Sequence, residues 1–455
     1  MNVRSATRVA LFLAVLLGLY SCEEKPVDSG ADAKLVEDYS YEVAHEWNEL
    51  FLEIERYAQG YRPGPAPRAL AYLGYAAYEA CISGMPEYNS LQLEFGLNLP
   101  KVEAGAEYHW PTVVNASNAF LMNKFFSSRA ADIALLKSRN EGRYILQIAP
   151  DVFNRSVAHG TAVAAAVWDW AKTDPIGHDA HIDPFGDYNW QAAYNGPGDW
   201  EATLPGPGRG MFPYWGEARA FATKAGERIC RPPLPYSEAP SSMMYAQALE
   251  VYSQNTPTLS YETEWVGEFW SDDLVNLTFS PGPRFIAIAN QVFELEDCNL
   301  ATALLTNAKV GMALNDAAVA CWHSKYHYNV ERPVGYIRRI IDATWETNLE
   351  NPLTGEKSIS PSFPAYPSGH STMGAAGAEA LGSVFGYDYA MTDRCHANRT
   401  EFEGTPRSFG SFFEMAQENA WSRVPLGVHW RMDCDEGVRF GTEIGRRVNR
   451  LPWTN

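Results

Sequence analysis

The sequence predicts an all-α fold of packed helical bundles. Apolar residues recur at helical spacing over most of the chain, the strand signal is weak throughout, and neither βαβ alternation nor an internal repeat is present. The first segment stands apart. Arg4 and Arg8 precede an apolar run from Val9 to Tyr20, too short to span a bilayer comfortably but of the length of an export signal's apolar core. It ends in Leu19-Tyr20-Ser21-Cys22, a lipobox-like pattern in which Cys22 is acylated after cleavage. Residues 1–21 are therefore expected to be a lipoprotein signal peptide, and the polar residues 22–33 a tether. On this reading the chain is exported, to the periplasm, outer membrane or cell surface. It touches membrane only through lipid on Cys22, since no other run of eighteen apolar residues occurs.

Helices follow in order. Val43, Trp47, Leu50, Ile54 and Tyr57 make one apolar stripe on a charged segment. Residues 68–83, rich in Ala and aromatics, read as a buried helix, and 112–126, 130–140 and 155–173 continue the pattern. Pro, Gly, Trp and Tyr crowd residues 183–216, which predicts a long irregular loop of the kind that serves as a lid. Helices resume near Ser241 and run, with interruptions, to Arg450. This divides the chain into an N-terminal helical part, 34–240, and a C-terminal bundle, 241–455.

Composition narrows the function. The chain of 455 residues has 36 basic against 55 acidic side chains, a net charge of -19, and loss of residues 1–21 makes it -21. Such a balance argues against nucleic-acid binding and against electrostatic attachment to anionic lipid. Hydrophobic residues at 46% exclude a disordered polyelectrolyte. Six cysteines remain after Cys22, an even number whose pairing spacing does not determine, and Cys321 reads as a buried thiol in a small-residue helix.

Three segments of the C-terminal half carry chemistry. In the first, Lys325 and Arg332 lie two helical turns apart before Pro333. In the second, Pro367-Ser368-Gly369-His370 makes a tight turn ahead of a small-residue helix, whose N-terminus offers free amides to an anion. In the third, Ser422-Arg423 is followed by His429 and Asp433, spaced so that the carboxylate can orient the imidazole. Two Arg, one Lys, a hydroxyl, an amide and two His suit a tetrahedral oxyanion such as phosphate or vanadate. His323 and His327 flank Lys325 at a spacing known from zinc sites, but the lysine between them fits an anion better.

K-x6-R-P, P-S-G-H and S-R-x5-H-x3-D, in that order, resemble the signature shared by vanadium-dependent haloperoxidases and the type 2 phosphatidic acid phosphatase superfamily. The resemblance covers roughly residues 300–445. It implies helical bundles of the vanadium haloperoxidase and acid phosphatase type, with an oxyanion at the core of one. It implies that vanadate is held by Lys325, Arg332, Ser368, Gly369 and Arg423, with His429 as the vanadium ligand and Asp433 behind it. His370 becomes the acid–base group, Lys325 the group that polarises bound peroxide, and Trp322 and Phe363 the wall of a halide pocket. The partners are hydrogen peroxide and a halide, with iodide or bromide favoured over chloride, which is hardest to oxidise. A soluble acid phosphatase using His429 as nucleophile is the alternative within the superfamily. A glycan-binding surface lipoprotein is the alternative outside it, though it has no use for the oxyanion residues. Glu331, where fungal relatives carry an aromatic, either pairs with a site arginine or faces away. Asp272 or Asp273, in a stretch that resembles a haloperoxidase segment, reads as a helix-end carboxylate rather than a partner for Arg423. The oligomeric state is not assigned.

Overall fold

In the computed structural model, residues 34–202, 208–254 and 259–454 are described. The expected signal peptide, tether and acylated Cys22 lie outside them. Five helices open the chain: α1 (Glu42–Glu55), α2 (Pro65–Cys81), α3 (Trp110–Phe125), α4 (Ala130–Tyr144) and α5 (Pro150–Ala171). A short α6 (Trp190–Ala193) interrupts the irregular region, followed by α7 (Met243–Ser253), α8 (Tyr261–Phe269), α9 (Arg284–Glu296), α10 (Leu300–Tyr328), α11 (Pro333–Ile340) and α12 (Gly369–Phe385). A small antiparallel ribbon, β1 (Met391–Asp393) and β2 (Arg407–Phe409), precedes α13 (Phe412–Ser422) and α14 (Arg431–Asn449).

The all-α expectation holds, and the differences are local. Helix α2 starts at Pro65, three residues before the sequence-based start, because Pro65 and Pro67 sit in the first turn, where a missing N–H costs nothing. Helix α5 likewise starts at Pro150 rather than Arg155. The ribbon pairs Met391 with Phe409 and Asp393 with Arg407, segments too short for a strand pattern to register. All six cysteines after Cys22 are free thiols, and Cys321 is fully buried.

Helix α10 is the axis of the described fold. Asn299 caps its start by accepting from the Thr302 amide, and Asn329 ends it in the left-handed conformation at φ 51°. Nearly every side chain from Leu300 to Lys325 is buried, against α2 on one side and α12 on another. Closeness to α2 depends on Gly311, where a Cβ would fall 2.8 Å from the Leu70 carbonyl oxygen. Between α12 and α14 a Cβ at Gly441 would lie 2.1 Å from the Thr372 oxygen. Small residues thus let backbones meet, and the last turn of α10 and the first turns of α11, α12 and α14 converge. Gly311→Val is expected to force α2 and α10 apart and to destabilise the protein by about 1–3 kcal/mol, read as a lower urea midpoint with an unchanged m-value.

Candidate active site

The three sequence segments meet in one place. Lys325 comes from the last turn of α10 and Arg332 caps the start of α11. Ser368 caps α12, and Gly369 and His370 form its first turn. Arg423 ends α13, while His429 and Asp433 bracket the start of α14. Their side chains are almost entirely buried.

Hydrogen bonds fix each group. Lys325 Nζ donates to the carbonyl oxygens of Pro364 at 2.9 Å and Ala365 at 2.8 Å. Arg332 donates through Nε to the Phe363 carbonyl at 3.0 Å and through Nη1 to that of Val428 at 2.6 Å. The same Nη1 lies 3.1 Å from His429 Nε2. A guanidinium only donates, so His429 Nε2 carries the lone pair and Nδ1 carries the proton. Nδ1 accordingly donates to Asp433 Oδ2 at 2.8 Å, which also accepts from the Trp430 amide at 3.0 Å. The Ser368 amide donates to the Asp433 carbonyl, tying α12 to α14. Ser368 Oγ accepts from the Ser371 amide at 3.3 Å, which leaves its own proton to donate elsewhere.

The second carboxylate is Asp273. It accepts from Arg423 Nη2 at 2.7 Å and lies 3.9 Å from His370 Nε2. The helix-end reading of this residue is therefore corrected: the turn after α8 carries Asp273 across to α13. Its neighbour Asp272 instead pairs with Arg284 at 2.9 Å and with His396 at 2.8 Å. Glu331 faces away from the site and binds Arg339, 2.9 Å distant. His327 is exposed beside Tyr328, and His323 leans toward Glu217.

Electrostatics follow from burial. Desolvation brings the Lys325 ammonium down to about 7 and Arg332 to about 9. It brings His370 to about 4, with Arg423 adding to the effect, and holds His429 well below the usual imidazole range, with Arg332, Lys325 and Arg423 pressing the same way. Burial pushes the Asp433 carboxyl up to about 7, against the pull of Lys325. At this site, three N–H-bearing atoms are buried without a partner among the described residues: Arg332 Nη2 and Arg423 Nε and Nη1. Leaving a buried charge uncompensated costs about 3–5 kcal/mol. These donors, the Ser368 hydroxyl and the first-turn amides of α12 are the complement of a tetrahedral oxyanion, and the His429 Nε2 lone pair, which here accepts from Arg332 Nη1, is the one a bound vanadium would take instead. The donor set fits vanadate.

A cavity of about 570 Å³ opens onto Gly369, His370, Arg423 and His429. Trp322 and Phe363 line it with ring centroids 4.9 Å apart, and Lys325 lies 5.1 Å from the Phe363 centroid. Phe185 and Met211, from the loop 183–216, form part of its wall. That loop is stapled to α10, since Trp322 Nε1 and Tyr326 Oη both donate to the Met211 carbonyl, at 3.2 and 2.7 Å.

Comparisons with known proteins bear on this geometry. The model for the second helical-bundle domain of vanadium chloroperoxidase matches residues 306–451, the segment that holds the cage. The crystal structure of a bacterial vanadium-dependent iodoperoxidase superimposes with a TM-score of 0.79 at 26% identity, over 91% of this chain and 98% of that one. Residues 306–451 are a helical bundle of the vanadium haloperoxidase family, and the fold around them is that of the iodoperoxidase. It is 28% identical over 280 residues to the vanadium chloroperoxidase of Curvularia inaequalis, 49% of this chain and 46% of that protein. To the vanadium-dependent bromoperoxidase of Ascophyllum nodosum it is 32% identical over 98 residues, 20% of this chain and 18% of that protein. The chain thus spans less than half the length of these curated relatives. A bacterial vanadium-dependent chloroperoxidase shares the fold, with a TM-score of 0.62 at 17% identity over 86% of this chain and 93% of that one.

Sequence reasoning missed what the backbone does here. The carbonyls that receive Lys325 and Arg332 carry no side-chain signature. Arg284 and His396, which hold the turn beside the site, lie far from every motif.

Two outcomes are expected. Asp433→Asn keeps its shape but weakens the hold on the His429 Nδ1 proton, so vanadate affinity falls about 10–100-fold by isothermal calorimetry while the fold is retained. Lys325 is raised by a bound anion and is partly neutral without one above pH 7. Oxyanion binding should then take up about one proton more at pH 8.5 than at pH 6 in the wild type, after subtracting the same difference in Lys325→Met. Calorimetry in buffers of different ionisation enthalpy measures this.

Proposed function

We propose that this protein is a vanadate-dependent haloperoxidase that oxidises iodide or bromide with hydrogen peroxide to the hypohalous acid. The observation that carries the reading is the set of unpartnered, buried guanidinium N–H groups grouped with the His429 Nε2 lone pair. Bound vanadate would supply a Lewis acid that binds hydrogen peroxide and makes its oxygen electrophilic without a change of oxidation state. Every other task falls to the chain. His429 would hold the vanadium through Nε2, in the tautomer that Asp433 maintains. Lys325, Arg332 and Arg423 neutralise the oxyanion's charge, and the Ser368 hydroxyl and Gly369 amide complete the cage. Lys325, against the aromatic faces of Trp322 and Phe363, would direct its N–H groups and positive charge at a bound peroxide. His370, neutral at physiological pH, takes a proton from the incoming peroxide and returns it to the departing oxygen. The reaction consumes one halide, one hydrogen peroxide and one proton, and gives one hypohalous acid and one water.

Iodide is the first halide to test, because it is the easiest of the three to oxidise and the iodoperoxidase neighbour covers nearly the whole chain. Export and a lipid anchor on Cys22 are part of the proposal, supported by the Arg-flanked apolar run and the lipobox pattern. Membrane fractionation of wild type and Cys22→Ala tests them.

The enzyme without added vanadate should be inactive and should gain iodide oxidation, followed as triiodide absorbance, with orthovanadate and peroxide. Phosphate should compete with vanadate. His429→Ala should abolish vanadate binding, whereas His370→Ala should retain binding and lose about 100-fold or more in turnover. Brisk hydrolysis of p-nitrophenyl phosphate, with no halide oxidised under vanadate, would replace this reading with that of a phosphatase.

A further inference from the structure

The turn between α8 and α9 carries a device that no site motif announces. Asp272 has a φ of 36°, a left-handed conformation that a non-glycine residue keeps only where its surroundings hold it. Its surroundings do. The side chain is 2% exposed and spans two partners, Arg284 Nη1 at 2.9 Å through Oδ2 and His396 Nε2 at 2.8 Å through Oδ1. Arg284 is itself fully engaged. It donates to the Phe269 carbonyl at 2.7 Å and to Asp393 Oδ2 at 2.8 Å, with the Phe269 and Trp270 rings 4.4 and 4.1 Å from its guanidinium carbon. Asp393 also accepts from Gln291 at 3.0 Å. The network joins α9, the β1 segment and the turn.

Its product lies one residue to each side of Asp272. On one side the Ser271 carbonyl oxygen stands 3.0 Å from His370 Nε2. A carbonyl only accepts, so Nε2 must carry the proton and Nδ1 the lone pair. On the other side Asp273 holds Arg423. Rotation about the N–Cα bond of Asp272 toward ordinary negative φ would turn the Ser271–Asp272 peptide and carry the Ser271 oxygen off His370.

We propose that the buried Asp272–Arg284 pair is a positioning device: it locks the Ser271 carbonyl onto His370 Nε2 and so assigns proton exchange with the bound oxyanion to Nδ1. The chemical role of His370 rests on the haloperoxidase reading, but its tautomer does not, and the two are measured separately.

The test uses full-length protein labelled with ¹⁵N-histidine. The His370 imidazole is identified by its disappearance in His370→Gln, and the tautomer is read from nitrogen shifts in long-range ¹H–¹⁵N spectra without vanadate. In the wild type His370 should be a single neutral tautomer protonated at Nε2. Asp272→Gly tolerates the left-handed backbone but removes the anchor. It should give a tautomer mixture at His370 and about 100-fold lower kcat for iodide oxidation, with vanadate affinity retained. Asp272→Asn, which accepts the same φ and still reaches Arg284 and His396, should restore both readouts. A wild-type His370 protonated at Nδ1 overturns the proposal without any variant, even if Asp272→Gly fails to fold. So does a folded Asp272→Gly that keeps the wild-type tautomer. If the tautomer behaves as expected but no halide is oxidised by any variant, the functional reading fails and the positioning role stands.

Discussion

Three cations, Lys325, Arg332 and Arg423, are withdrawn from water into one small volume, and among the described residues two carboxylates, Asp273 and Asp433, answer them. Asp433 is committed to His429, and Asp273 meets one edge of Arg423. Backbone carbonyls absorb several of the remaining N–H groups, but Arg332 Nη2 and two nitrogens of Arg423 have no protein partner. Burial makes such charges expensive and makes an anion among them strongly bound, because low dielectric strengthens near charges. The net charge of -19 does not oppose this. It is spread over a whole surface, whereas the site acts over a few ångströms.

The cage is built from helix ends, and this explains both its rigidity and its place. Lys325, Arg332, Ser368, Arg423 and Asp433 sit in last turns, first turns or caps, where amides and carbonyls are free to bond to side chains. Those ends converge only because α10, α12 and α14 approach closely at small residues such as Gly441. One proton assignment follows at each histidine. The Arg332 guanidinium gives His429 a lone pair on Nε2, and the Ser271 carbonyl puts the His370 proton on Nε2. The same ring atom thus has opposite roles in the two residues, set by whether its neighbour donates or accepts.

Much of this was legible in advance. Helical spacing foretold α1 to α5 to within a few residues, with errors where prolines open a helix, since a proline in a first turn looks locally like a breaker. Lys325, Arg332, Ser368, Gly369, His370, Arg423, His429 and Asp433 were singled out by spacing and by resemblance, and all face one place. Asp273 reads locally as a helix-end carboxylate, because nothing in the string says that α13 lies opposite. Arg284, Asp393 and His396 carry no local signal. They are spread over more than a hundred residues, and a buried ion-pair network leaves no periodic trace.

The sequence by itself determined the class of fold, the order of the motifs and the chemical inventory of the site, because helical periodicity and short motifs are properties of neighbours along the chain. Tertiary structure decided which groups lack partners, which tautomer His370 and His429 hold, which of two adjacent aspartates meets Arg423, and that Phe185 and Met211 wall the cavity. These are properties of distance and burial, fixed only when helix ends far apart in the sequence are packed together and water is excluded from between them.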